Sequence, residues 1–248
     1  MKKIKALMLA MLAMVASISF TACSSDDDDN NTDNNIEDFQ KIVDEKVQSN
    51  KKHNKAILIV AFGSTWQQAF DTFDAVEAKY KAEFGSEYDV FLSFSSAICI
   101  NQAHAWEHKD DGAEQRDYYG PEYWLTAIGK SQYKEVVVQS LQVTPGEEFR
   151  LVRDKAVKDF MNNKYRVFTD EYMKSIDKKV QVGTPLLAEE EDVDNLAKVL
   201  LAESDVKSVI NAGGVVAFMG HGNPVGYDYG GANIRYNQLE EALQNLTG

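Results

Sequence analysis

The chain has 248 residues, with 26 basic and 39 acidic side chains and a formal charge of −13 at pH 7. An acidic surface repels phosphate backbones, so this composition excludes nucleic acid as an expected partner. The same excess of acidic residues disfavours adsorption on anionic lipid, so any membrane attachment must come from a covalently attached lipid.

The first 22 residues have the pattern of an export signal. Lysines at positions 2, 3 and 5 precede an apolar run over 6–20, which is too short to span a bilayer. The sequence FTAC that ends at Cys23 resembles a lipoprotein cleavage box, after which Cys23 would be the lipidated N-terminus. Removal of residues 1–22 would leave 23 basic and 39 acidic residues, and therefore a formal charge of −16. We therefore expect an exported protein, lipid-anchored on the periplasmic face or cell surface; an ordinary secretory signal is the alternative.

Residues 23–54 are predicted to be an acidic, polar tether. Asp, Asn and Ser dominate its first half and cannot bury enough apolar surface to fold. The range 36–47 has a weak helical periodicity that fits a short surface helix, and His53 is expected to be exposed. The only other cysteine, Cys99, lies in an apolar run and is expected to be buried rather than nucleophilic.

From residue 55 onward, apolar runs of strand length alternate with helical patterns. The predicted strands are 56–62, 88–94, 135–141, 179–182 and 215–219, and the predicted helices are 66–84, 98–106, 121–128, 149–160, 189–202 and 236–246. Continuous apolar runs are typical of parallel strands that are buried on both faces, so the pattern predicts an α/β fold. We assign 55–187 to a first α/β domain. The range 188–248 is then a linking helix and the start of a second domain, expected to be incomplete because one βα unit cannot cover its own sheet faces.

The last predicted strand ends in Gly220-His221-Gly222. Ligands of open α/β sheets bind beyond the carboxyl ends of the strands, and glycines let the backbone turn and a ligand approach. His221 is therefore a candidate ligand-binding residue. On this stretch alone, a plain turn with an exposed histidine explains the pattern equally well.

Six short motifs at strand ends occur in the order of one known family. They are AILIVAFGS from residue 56, FSSAI from 94, VVQSL from 137, PGEEF from 145, GTPLL from 183 and FMGHG from 218. With these motifs the chain resembles the anaerobic sirohydrochlorin cobaltochelatases, which are class II tetrapyrrole chelatases. The resemblance implies two flavodoxin-like, chelatase-like parallel-sheet domains that face a cleft. It also implies a lyase that inserts Co²⁺ into sirohydrochlorin or its oxidised relative, as in anaerobic cobalamin biosynthesis.

The resemblance also implies the site residues. His221 carries over as metal ligand and proton acceptor, and Glu148 as a catalytic carboxylate near the metal. The implied substrate-binding residues are Phe62, Gly63, Ser64, Gln142 and Gly222. The family's remaining metal-site residues are expected beyond residue 248.

Other interpretations of these residues stay open. The family commonly has histidine where this chain has Gln142, and glutamine cannot take a proton near neutral pH. A carboxylate such as Glu148 is also favourable at any helix N-terminus. Ser64 could be a helix N-cap in addition to a substrate contact.

The implied ligands are a tetrapyrrole, either sirohydrochlorin or haem, and a divalent metal that enters as substrate. Co²⁺ is the expected metal and Fe²⁺ the second candidate; no permanently bound cofactor is expected. A homo-oligomer is left open. Because cobalamin precursors are made in the cytoplasm, an exported member raises an alternative, a haem-binding or iron-removing lipoprotein at the cell surface that does not insert cobalt. A scaffold without a ligand is the third interpretation.

Overall fold

The structure, a computed structural model, describes residues 33–105 and 117–247. They divide into two units. The sheet unit contains the described residues of 33–140 and 151–183, and the helical unit contains 141–150 and 184–247. The predicted signal at 1–22, the lipidation site Cys23 and the first part of the tether lie outside the described residues. Across the described ranges, none of the helices combines the length and apolar character that a membrane crossing requires.

A four-stranded parallel sheet forms the centre of the sheet unit. Its strands are β1 (Lys55–Ala61), β2 (Asp89–Phe94), β3 (Glu135–Ser140) and β4 (Val180–Gly183), in the spatial order β2-β1-β3-β4. All three strand pairs are parallel. This is the order of the first strands of a flavodoxin-like sheet, so the predicted α/β class is confirmed. Each observed strand lies within one residue of its predicted bounds.

Helices belong to both units. In chain order they are α1 (Asp33–Asn50), α2 (Gln67–Phe84), α3 (Ala97–Ala105), α4 (Pro121–Lys130), α5 (Glu147–Arg150), α6 (Lys158–Met161), α7 (Asp170–Ile176), α8 (Glu190–Ala202), α9 (Ser204–Asn211) and α10 (Ile234–Thr247). Of these, α5, α8, α9 and α10 belong to the helical unit. A π-helical stretch, Leu151–Val157, precedes α6. Helices α7 and α9, of 7 and 8 residues, were not among the predicted helices.

Strands β1, β2 and β3 are buried along almost their whole length, whereas β4, at the edge of the sheet, is half-buried and exposes Gln181. In β1, Leu58 and Val60 join a core cluster that includes residues of α1 and α4. Ile57 and Ile59, equally buried, point to the opposite face, since side chains alternate along a strand. The strand therefore has no solvent-facing side along most of its length.

At residues 33–50 the structure differs from the predicted tether. They form an 18-residue helix, α1, and its Val43 and Val47 are fully buried in the core of the sheet unit. Phe39, one turn earlier, lies edge-on to Tyr119 at a centroid distance of 5.5 Å. Residues four apart share one face of a helix. One apolar residue per turn gives a weak periodicity in the sequence, and packing against the sheet unit supplies the stability that the isolated segment lacks.

His53 also differs from expectation, because it is half-buried and hydrogen-bonded. Its ring Nδ1 lies 2.9 Å from Oδ1 of Asp89. The other oxygen of Asp89 accepts the backbone N–H groups of Lys52 and His53, both at 3.0 Å, and the Tyr133 hydroxyl at 2.7 Å. These contacts fix the chain as it enters β1.

The helical unit packs α8 and α10 around a small apolar cluster that includes Leu187, Leu196 and Leu239. The loop 141–150 belongs to this unit. The backbone N–H groups of Leu186 and Leu187 donate to the carbonyls of Gln142 and Val143, at 3.1 and 2.7 Å.

The predicted strand at 215–219 is wrong. The segment has no regular secondary structure, and Val215 and Met219 are 91% and 93% exposed. No described residue exchanges a backbone hydrogen bond with it. A parallel strand needs neighbours to pair with its backbone groups, and the described residues of the helical unit contain no strand.

Candidate active site

The loop that carries His221 is shaped by the glycine on each side. A Cβ atom on Gly220 would lie 2.5 Å from the ring of Tyr236, so only glycine lets the loop pack against α10 at this point. Gly222 has a φ of +70°, in the left-handed region that favours glycine. The histidine between them is exposed.

One ring nitrogen of His221 has a defined partner. Nδ1 lies 2.7 Å from the carbonyl oxygen of Gly222. A carbonyl can only accept a hydrogen bond, so Nδ1 must carry the hydrogen. In the neutral ring the lone pair is then on Nε2. A backbone carbonyl bound to one ring nitrogen is the usual arrangement when the other nitrogen binds a metal.

The loop 141–150 places Gln142 and Glu148, both half-buried. Glu148 is the second residue of α5, whose first turn is acidic as the helix-N-terminus interpretation requires. Two residues on, the guanidinium of Arg150 lies 4.0 Å from the centroid of the Tyr229 ring.

The His221 loop and the Glu148 loop are in direct contact. Asn223 Nδ2 donates to the hydroxyl of Thr144 at 3.1 Å. A Cβ atom on Gly146 would lie 2.3 Å from Oδ1 of Asn223, so glycine permits this approach. The structure thus brings together the two loops that the motifs PGEEF and FMGHG predicted to form the site.

A second asparagine holds the His221 loop. The backbone N–H of Asn223 donates to Oδ1 of Asn233 at 2.7 Å, and Asn233 Nδ2 donates to the carbonyl of Asn223 at 2.8 Å. Neither asparagine was among the predicted site residues. The available signal was misleading, because an asparagine directly before a helix is typical of an N-cap.

Phe62, Gly63 and Ser64 belong to the sheet unit and follow the carboxyl end of β1. This strand lies between β2 and β3, at the point where the strand order reverses, which is the usual ligand-binding edge of such sheets. Gly63 has a φ of +109°, and a Cβ there would lie 2.7 Å from the Phe94 ring and 2.9 Å from Cys99 Cβ. Cys99 is 1% exposed, as expected.

Ser64 is not the N-cap of α2. That position is Trp66, and the Ser64 hydroxyl oxygen accepts the Trp66 backbone N–H at 3.1 Å. The hydroxyl hydrogen of Ser64 can still donate to a ligand. Phe62 and Trp66 are 37% and 56% exposed, so this loop presents aromatic surface to solvent.

Within the described ranges, no three His, Cys, Asp or Glu side chains come together as a metal-binding group. The His221 loop therefore offers one imidazole with a carboxylate-bearing loop beside it. Such an arrangement suits transient contact with a metal better than permanent chelation.

A family model described as cobalt chelatase (CbiK) matches residues 55–247. The chain belongs to the cobalt chelatase family. The match covers all six motifs, the helical unit to residue 247 and the sheet unit from β1 onward. No curated protein matches the chain. This cobalt chelatase is therefore a lyase-type metal chelatase with a tetrapyrrole substrate.

Proposed function

We propose that this cobalt chelatase inserts Co²⁺ into sirohydrochlorin or its oxidised relative, with His221 as metal ligand and proton acceptor. The main support is the exposed imidazole whose Nδ1 is held by the Gly222 carbonyl at 2.7 Å, which leaves Nε2 as the reactive nitrogen. His221 also lies within the range that the cobalt chelatase family model matches.

The reaction requires two exchanges. Co²⁺ loses water ligands and gains four macrocycle nitrogens, and two pyrrole N–H protons leave. An imidazole suits both steps, because it is a good ligand for Co²⁺ and its ordinary pKa is near 6.5. One Nε2 lone pair cannot bind metal and proton together. The roles are therefore sequential: Co²⁺ leaves Nε2 for the macrocycle, Nε2 then accepts one proton, and water takes the other.

Glu148 supports this sequence by charge. A carboxylate near the imidazole balances the metal charge first and stabilises the imidazolium afterwards. The loop contact through Asn223 and Thr144 is what places the Glu148 loop beside the His221 loop.

In the sheet unit substrate binding is assigned to residues 62–64, and in the helical unit, taken by itself, to Gln142 and Gly222. Backbone N–H groups and the Ser64 hydroxyl would donate to substrate carboxylates, and Gln142 would orient the macrocycle through its amide. Among the described residues, a Cβ on Gly222 would approach only Asn233 Oδ1, at 3.7 Å, so little crowds this backbone position. No permanent cofactor takes part, and Co²⁺, with Fe²⁺ as second candidate, enters as substrate. The protein is exported and anchored through lipid on Cys23, and a homo-oligomer is compatible with this scheme.

Cobalt insertion into sirohydrochlorin, followed by the change in the macrocycle's absorption spectrum, tests the proposal. We expect His221→Ala to lower the insertion rate about 10²-fold or more, the usual loss when a proton acceptor is removed. Asn195→Ala, at an exposed position of α8 in the same unit, is the control and should retain the wild-type rate. An unchanged rate in His221→Ala removes this residue from the mechanism, and no insertion by the wild-type chain contradicts the chelatase proposal.

A second function is favoured by Gln142 and by the predicted export signal. Without the histidine that the family commonly has at this position, the protein could bind haem, or remove its iron, at the cell surface without inserting cobalt. Absorption titrations with haem and with sirohydrochlorin separate the two. Tight haem binding together with no cobalt insertion supports the lipoprotein alternative, and sirohydrochlorin binding with insertion supports the chelatase.

A further inference from the structure

The helical unit contains a carboxamide that pairs with both backbone groups of one residue. Asn233 Oδ1 accepts the Asn223 N–H at 2.7 Å, and its Nδ2 donates to the Asn223 carbonyl at 2.8 Å. A neighbouring β-strand would bond the N–H and C=O groups of Asn223 in the same way, but here the side chain of Asn233 bonds both. Two simultaneous hydrogen bonds fix both the position and the orientation of that peptide segment.

Asn233 is itself fixed. Its backbone N–H donates to Oδ1 of Asp228 at 2.8 Å, and it directly precedes α10. The carboxamide is therefore held at the start of a 14-residue helix rather than on a free loop. Asn223 lies two residues after His221, so the helix start defines where the imidazole can be.

Asn223 also extends the connection to the Glu148 loop. While its backbone is held by Asn233, its side-chain Nδ2 donates to Thr144 at 3.1 Å. Thr144 is buried, and Gly146 leaves room for the Asn223 side chain. The chain of contacts runs from α10 through Asn233 and Asn223 to the Glu148 loop.

We propose that Asn233 is a positioning residue of the metal-transfer site, which keeps His221 at a fixed distance from the Glu148 loop. This inference rests on the proposed function. Asn233 touches neither metal nor substrate; it acts through the backbone of Asn223. Metal sites are sensitive to such partners, and their loss commonly costs 10–100-fold in affinity or activity.

The experiment uses the full chain and two measurements. Co²⁺ affinity without tetrapyrrole is followed by the visible absorption of the bound ion, and exchange of the Asn223 amide hydrogen is followed by mass spectrometry. Asn233→Ala removes both hydrogen bonds, whereas Asn233→Asp retains the acceptor and loses the donor. Asn195→Ala, another asparagine of the helical unit, is the matched control.

We expect Asn233→Ala to weaken Co²⁺ binding about 10-fold or more and to speed exchange at Asn223, with the circular dichroism spectrum unchanged. Asn233→Asp should fall between Asn233→Ala and the wild type in amide exchange, and Asn195→Ala should match the wild type. If Asn233→Ala does not fold, Thr144→Val tests the same chain of contacts, because it removes the acceptor of Asn223 Nδ2.

The outcomes separate this inference from the proposed function. Faster exchange at Asn223 with unchanged Co²⁺ affinity overturns the positioning role and leaves the chelatase proposal intact. Unchanged exchange in Asn233→Ala overturns the contact itself. A wild-type chain that neither binds nor inserts Co²⁺ contradicts the proposed function and, with it, the role assigned to Asn233.

Discussion

At the scale of single residues, the Asp89 carboxylate holds the backbone in place just before β1. Four hydrogen bonds reach it from Lys52, His53 and Tyr133. Burial by itself would raise the pKa of Asp89, but the hydrogen bonds from the His53 backbone, the Tyr133 hydroxyl and the Lys52 backbone outweigh it, and the pKa is lowered. The carboxylate is therefore held in its ionised form.

The sign of the pH effect follows from this lowered pKa. A carboxyl whose pKa is lower in the folded state stabilises the fold at pH values above its unfolded pKa, and this contribution is lost as the pH falls through the folded pKa. Asp89 accordingly contributes stability at neutral pH and progressively less below its ordinary pKa of 3.8.

Asp89→Asn tests this contribution. We expect it to lower the free energy of unfolding by about 1–3 kcal/mol at neutral pH, since the charge-assisted hydrogen bonds are weakened. The difference from wild type should shrink as the pH falls below 3.8, because the carboxyl is then protonated first in the unfolded chain and, at lower pH, in the folded protein. Urea unfolding at several pH values measures it. Asp159→Asn, in a surface pair with Lys164, is the control and should cost only about 0–1 kcal/mol. A loss of stability in Asp89→Asn that is equal at all pH values would contradict the stabilising role of the ionised Asp89 carboxylate.

At the scale of elements, the range 215–219 has the composition of a buried strand without the structure of one. Its β-branched and aromatic residues favour a pleated surface, but β propensity mostly reflects packing against neighbouring strands. The same residue types in β1 are fully buried, because β1 is paired with β2 on one side and β3 on the other. The two segments differ in whether neighbouring strands pair with them, rather than in their composition.

Hydrogen exchange tests this contrast. We expect the amides of 215–219 to exchange near the rate of an unstructured peptide, because no described residue exchanges a backbone hydrogen bond with this segment. The amides of Leu58 and Ile59 in β1 should be strongly protected and serve as the internal reference. Protection at 215–219 as strong as that in β1 would show that the segment is paired in solution.

At the scale of the whole molecule, the negative net charge of the protein repels an anionic tetrapyrrole and attracts Co²⁺. The chain carries a formal charge of −13, a tetrapyrrole with several carboxylates is also anionic, and Co²⁺ is cationic. Long-range charge affects association rates mainly, and salt screens it over a length of about 10 Å at 0.1 M. The two substrates should therefore respond to salt in opposite directions.

Stopped-flow association at about 0.02 and 0.2 M salt measures this response. We expect sirohydrochlorin to associate faster at the higher salt concentration, because repulsion is screened, and Co²⁺ to associate more slowly, because attraction is screened. Each ligand is the control for the other, since general salt effects on the fold would move both rates the same way. Two changes of the same sign would contradict a role for net charge.

Much of the sheet unit could be predicted from the sequence alone. Apolar runs predicted β1, β2 and β3, and a shorter segment predicted β4, each within one residue of its observed bounds. Alternation with helices predicted their parallel pairing. Ordered motifs predicted the chelatase family, which the family match confirms. These features could be predicted because each is encoded within a short stretch of chain.

Tertiary structure alone decided what depends on distant partners. Val43 and Val47 give a weak pattern locally and become core residues only against the sheet unit. The range 215–219 has a strong pattern and remains exposed, because no strand lies beside it among the described residues. Asn223 contacts Asn233 ten residues away and Thr144 at a separation of 79, which no local pattern encodes. A short stretch limits what its residues can form, but the groups that complete their hydrogen bonds and cover their apolar surface come from elsewhere in the chain.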